Sequence, residues 1–96
     1  MEEYVLRKLY SNGFRWRGCY ANDGHFCLTS YPSLEELLYE IRVLNFQYMV
    51  DSHSNHILVL GQHNGTFFEL HKEIVGINKY SAIEALLWVY EQRRNM

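Results

Sequence analysis

Phe46–His71, "FQYMVDSHSNHILVLGQHNGTFFELH", decides the fold. It divides into three strand-like runs, Phe46 to Asp51, His56 to Gln62 and Thr66 to His71, separated by the short polar stretches "SHSN" and "HNG". Connections this short join antiparallel neighbours, so the spacing predicts a three-stranded meander. In the first run Phe46, Tyr48 and Val50 share one side. The middle run carries "ILVL", a continuous apolar stretch of the kind expected in a strand covered on both faces.

Helix signals flank the meander. "PSLEELLYEIRVLN", Pro32 to Asn45, opens with a Ser33–Glu36 capping box, repeats Leu34, Leu37, Leu38, Ile41 and Leu44 at helical spacing, and reaches Asn45 as its stop. Beyond the meander, Ser81 and Glu84 form a second capping box ahead of Ile83, Leu86, Leu87 and Tyr90, with Arg93 and Arg94 near the helix C-terminus. Leu34–Tyr39 and Ile83–Trp88 match in pattern, which an internal duplication or, as the better reading, two amphipathic helices solving the same packing problem would produce.

Upstream, residues 2 to 12 read as a short helix with Tyr4, Val5, Lys8 and Leu9 on a partly apolar stripe and Gly13 at its end. From Phe14 the period becomes two: Phe14, Trp16, Gly18 and Tyr20 fall on one face, and Arg15, Arg17 and Cys19 on the other. "ANDG" then supplies a turn, and His25 to Thr29 returns as a second strand. A three-residue loop, Asn22 to Gly24, sets Cys19 opposite Cys27, whereas a two-residue Asp23–Gly24 turn sets Tyr20 opposite Cys27. The expected architecture is one α+β domain over residues 1–96. In it an antiparallel meander, extendable to five strands by the hairpin, carries helices packed against it.

Composition narrows the function classes. A chain of 96 residues, 48% hydrophobic and 16% aromatic, is too short for two cores and too apolar for disorder. A net charge of −2 gives no field that gathers nucleic acid non-specifically. No apolar run reaches the roughly 18 to 20 residues of a membrane span, and Met1-Glu2-Glu3 lacks a basic secretory n-region, so a cytoplasmic protein is expected. Cys19 and Cys27 are too few for a disulfide framework and are expected as free thiols.

Catalytic and metal chemistry find little support. His53 and His56 sit in or beside a turn, His63 and His71 lie on later strands, and no four donors converge at compact spacing, so no metal or cofactor is expected. His25 and Cys27 share a strand face but lie some 6 to 7 Å apart along the strand, and nothing marks an oxyanion site. Glu35, Glu36 and Glu40 complement a helix dipole, while Glu69 and Glu73 flank the end of a strand. "GQHNG" lacks the Lys-Ser/Thr of a phosphate loop. The protein is expected to be no enzyme.

The hairpin remains. Period two separates Arg15 and Arg17 from Phe14 and Trp16, which suits rings on the core and guanidiniums in solvent. Two arginines on one face can grip phosphates or the carboxylates of an acidic partner. Tyr10 and Tyr31, among six surplus tyrosines with Tyr20, Tyr39, Tyr48 and Tyr80, supply ring types enriched at protein contacts. The expected partner-binding residues are Arg15, Arg17, Tyr10 and Tyr31.

The order of helix, meander and closing helix, with Ala82-Ile83-Glu84-Ala85-Leu86-Leu87 at the start of the last, resembles the small phage proteins of the alpha-beta-alpha sandwich type over about residues 33–93. That family offers no catalytic residues to carry over, and the aromatic, basic hairpin departs from its pattern. The resemblance implies a viral accessory protein, acting in the host bacterial cytoplasm, that binds and inhibits a bacterial protein of antiviral defence. A second reading is a sponge for a small nucleotide or cyclic nucleotide signal, with Arg15, Arg17 and Tyr or Trp rings lining a pocket at a homo-oligomer interface.

Overall fold

A computed structural model describes residues 3–21, 23–27, 30–63 and 66–95, and of 62, 63 and 66–69 the backbone alone. In chain order the elements are α1 (Glu3–Ser11), α2 (Leu34–Val43), β1 (Gln47–Asp51), β2 (His56–His63), β3 (Thr66–Val75) and α3 (Lys79–Arg94). The three strands form one antiparallel sheet in the order β1-β2-β3, so the α+β architecture and the meander stand as the sequence predicts. The third strand runs on to Val75, past the expected His71. The "HNG" turn at 64 and 65 lies outside the described residues.

Local chemistry fixes the helix ends. At α2 the Ser33 hydroxyl accepts from the Glu36 N–H and the Glu36 carboxylate accepts from the Ser33 N–H, each at 3.1 Å. At its other end Asn45 takes the left-handed conformation (φ 66°) and donates to the Arg42 carbonyl, while the Phe46 N–H reaches the Ile41 carbonyl. This is a Schellman motif, completed by burial of both Ile41 and Phe46. Gly13 (φ 101°) ends α1 in the same way, with Phe14 donating to the Leu9 carbonyl.

The last helix starts earlier than its sequence signal. Asn78, not Ser81, is its N-cap: Asn78 Oδ1 accepts from the Ser81 N–H, and the Ser81 hydroxyl accepts from the Asn78 N–H. Both sites are legitimate caps, and the earlier one wins because it carries Ser81 and Ala82 into the buried face, with Gly76 (φ 103°) turning the chain directly after β3. Asn78→Ala is therefore expected to cost about 1 kcal/mol. Glu84→Gln should stay within about 0.5 kcal/mol, as for an ordinary surface position. Urea unfolding of both variants checks this; the reverse order would restore Ser81 as the cap.

Two expectations are corrected. First, no strand forms over Phe14–Tyr20: Arg17 and Gly18 make a turn in which the Trp16 carbonyl accepts from the Cys19 N–H, with Gly18 at φ 88°. Between α1 and α2 the described residues form one isolated antiparallel bridge, Tyr20 with Phe26, so among the described residues the hairpin adds no strand to the sheet. The turn breaks the period of two. Phe14 and Trp16 are buried and Arg15 and Arg17 exposed, as the alternation predicts, but beyond the turn Cys19 is buried and Tyr20 is 45% exposed. The bridge register is that of the three-residue loop, with Gly24 left-handed; Asn22, Leu28 and Thr29 lie outside the described residues.

Second, among the described residues the sheet is covered on one face. Ile57 and Val59 are fully buried beneath α2 and α3, while Leu58 and Leu60 on the other face are half-buried and Met49 beside them is 60% exposed. The N-terminal segment that could have formed a second layer is instead tied to the helices: Arg17 bonds to Glu36 of α2, and Asn12 to Arg94 of α3. Helix α3 consequently buries Ser81, Ala82, Ile83, Ala85, Leu86, Val89 and Tyr90, an arc of more than half its circumference.

Candidate binding surface

The left-handed Gly13 reverses the chain at the end of α1, so Phe14 enters the core and Arg15 folds back over the last helical turn. Its Nη1 donates to the carbonyls of Tyr10 (2.6 Å) and Phe14 (2.9 Å), and its guanidinium lies 3.5 Å from the centroid of the Tyr10 ring. The Tyr10 carbonyl also accepts the Gly13 N–H at 3.0 Å, so Arg15 adds a charged second donor at the negative end of the helix. Alternation does separate Arg15 from Phe14 and Trp16. The ring on which it stacks comes from α1.

Tyr10 is the hub of an aromatic cluster. Its ring meets Phe26 at 4.9 Å, Tyr20 at 6.1 Å and Trp16 at 6.5 Å, all edge to face. Arg7 lies 4.7 Å from the Phe26 centroid while paired with Glu3 at 2.9 Å. Arg7 and Phe26 were not singled out in the sequence. The signal was the i, i+3 spacing of Arg7 and Tyr10, which puts them on one face of α1.

Arg17 and Tyr31 belong to the part of the segment tied to α2. The Arg17 N–H donates to Glu36 Oε2 at 3.0 Å, and its carbonyl accepts from the Ser30 hydroxyl. The Ser30 carbonyl accepts from Trp16 Nε1 at 2.9 Å, and Tyr31, 52% exposed, follows directly. Glu36 thus joins the loop to the α2 cap. Burial acts to raise its pKa, but the N–H groups of Arg17 and Ser33, with the Ser33 hydroxyl and the Arg17 charge, outweigh it and hold the carboxyl below its usual range. The structure therefore brings Tyr10 and Arg15 into contact, and places Arg17 and Tyr31 along the Ser30 tie.

A separate groove of about 250 Å³ runs between α1 and α3. Leu87 and Trp88 line it with Lys8, Lys72, Arg94, Glu84 and Glu91. Arg94 donates to Asn12 Oδ1 across it at 2.8 Å. Elsewhere, the buried Tyr90 hydroxyl donates to Glu40 Oε2 at 2.9 Å, and burial together with that carboxylate pushes its pKa up, keeping the phenol protonated. His53 and His71 are exposed, and His56 Nδ1 stands 3.8 Å from Glu73. Among the described residues no three His, Cys, Asp or Glu side chains gather as a metal site; the His63 side chain lies outside them.

Fold and surface together define an α+β protein in which two helices cover one face of a meander and an N-terminal arginine–aromatic cluster caps the helices. No protein-family model, curated protein or solved structure matches the chain. Among the described residues no helix is long and apolar enough to cross a membrane.

Proposed function

We propose that the protein is a non-enzymatic binding module that acts by covering a working surface of a partner protein. Following the phage resemblance, that partner is a bacterial protein of antiviral defence, and the module inhibits it. The observation that carries the binding reading is the Arg15 guanidinium held over the Tyr10 ring beside the half-exposed Tyr20. Arginine and tyrosine dominate binding hot spots, and side chains already ordered in the free protein lose less entropy on docking.

The test is capture of a partner from bacterial lysate, its identification, and an activity assay of that partner. Tyr20→Ala and Arg17→Ala are expected to weaken capture at least tenfold while leaving stability within about 1 kcal/mol. Arg15→Glu differs from what exposure alone suggests. It removes the ring contact and places a carboxylate against helix-end carbonyls, so it should cost about 1–2 kcal/mol of stability besides weakening binding. Unchanged capture by all three variants would remove this face from the contact.

The nucleotide-sponge reading calls for a pocket lined by Arg15 and Arg17; neither lines the groove, whose cations are Lys8, Lys72 and Arg94 beside Trp88. Glu84 and Glu91 in the same groove oppose a phosphate. A near-stoichiometric nucleotide released on denaturing the purified protein would favour the sponge over the inhibitor.

A further inference from the structure

The bridge between Tyr20 and Phe26 fixes more than two aromatic rings. In that register Ala21 stands opposite His25, with its N–H bonded to the His25 carbonyl at 2.6 Å. By the same count Cys19 stands opposite Cys27, and the Cys27 N–H donates to the Cys19 carbonyl at 2.8 Å. Residues directly opposite in an antiparallel pair project to the same side with Cα atoms about 4.5 to 5.5 Å apart, and this pair shares one bond because the Cys19 N–H turns to the Trp16 carbonyl. Disulfides span Cα separations of about 4.4 to 6.8 Å. Both sulfurs are free thiols, Cys19 fully buried and Cys27 partly exposed.

We propose that Cys19 and Cys27 form a redox modification site, oxidised to an intrachain disulfide by low-molecular-weight disulfides of the glutathione type. The unequal exposure sets the order of events. The Cys27 thiol, once deprotonated, attacks one sulfur of the oxidant, forming a mixed disulfide and releasing one small thiol. Cys19, losing its proton in turn, attacks the Cys27 sulfur and expels the second small thiol. Two protein thiols are oxidised, one small disulfide is reduced to two thiols, and the chain loses two hydrogens. Cys27 is the entry point and Cys19 the resolving thiol.

Oxidation clamps the turn that carries Tyr20 and Phe26, both packed on Tyr10. The site stands independently of any partner, because it rests on the bridge register and the two thiols alone.

The test is intact-mass measurement of the folded protein after incubation with oxidised glutathione. Wild type is expected to lose two hydrogens per chain, remain a single chain on a non-reducing gel, recover both thiols with dithiothreitol, and melt roughly 10 °C higher when oxidised. Cys19→Ser should retain one glutathionyl group on Cys27, and Cys27→Ser should stay unmodified. Phenylarsine oxide, which bridges two adjacent thiols, should bind wild type one to one and neither single variant. This second measurement keeps the test open if the buried Cys19→Ser change prevents folding. A lasting glutathionyl adduct on wild type, a disulfide between two chains, two unreacted thiols, or no arsenical binding by wild type would overturn the proposal.

Discussion

Trp16→Ala is expected to destabilise the protein by about 3–5 kcal/mol, read by urea or thermal denaturation. Trp16 is 3% exposed, contacts Phe14, Tyr10 and Phe26, and donates its Nε1–H to the Ser30 carbonyl. Removing the indole leaves a large cavity beneath the N-terminal segment and a carbonyl without its donor. Domains of this size hold roughly 5–15 kcal/mol in total, so the variant should be partly unfolded or close to it at 37 °C. Trp16→Phe separates the two losses. It keeps most of the packing and forfeits the hydrogen bond, for about 1–2 kcal/mol. A Trp16→Ala variant as stable as wild type, yet deficient in partner binding, would move Trp16 from the core to the contact face.

The burial of Phe14 and Trp16 was legible because period-two alternation holds for as long as the backbone stays extended. It fails one residue beyond Gly18, whose positive φ turns the chain and exchanges the fates of Cys19 and Tyr20. A glycine permits that turn without announcing it, because the same residue also fits an ordinary strand. The α2 boundaries were readable for the opposite reason: Ser33, Glu36 and Asn45 each make a local bond that needs no tertiary partner. Asn78 and Ser81 offered two overlapping caps, and burial of Ala82 decided between them. Sequence has no access to that term until the helix layer is assembled. The same holds for "ILVL", whose continuous apolarity suggested two covering layers where only Ile57 and Val59 meet helices.

The candidate surface was readable by residue type and only in part by arrangement. Arg15 and Tyr10 are both legible as contact types, but their contact depends on Gly13 folding the chain back over α1, a consequence of one left-handed residue. Arg7 stacks on Phe26, nineteen positions away, because the Tyr20–Phe26 bridge brings the turn against that helix. Neither distance has a periodic signature.

Phe46→Ala is the second large loss expected, again about 3–5 kcal/mol. Phe46 joins helix to sheet: its N–H closes the Schellman motif on Ile41, its side chain is 1% exposed, and its ring meets Trp88 edge-on at 6.0 Å. Alanine keeps the backbone bond and removes the ring, so the cost measures packing between the α2–β1 joint and α3. Asn45→Gly is the matching backbone control. Glycine adopts the left-handed conformation at least as readily as asparagine, so that variant should stay within about 1 kcal/mol of wild type. Trp88 also lines the α1–α3 groove, which gives the Phe46 change a second readout. With its edge-on partner gone, the Trp88 indole should gain motion and solvent contact, shifting its fluorescence to the red under conditions where the variant is still folded. Measured in a Trp16→Phe background, the signal belongs to Trp88 alone. A Phe46→Ala variant with wild-type stability and an unshifted spectrum would mean that α2 and β1 are held together by the Ile41–Phe46 backbone bond, with the ring contributing nothing.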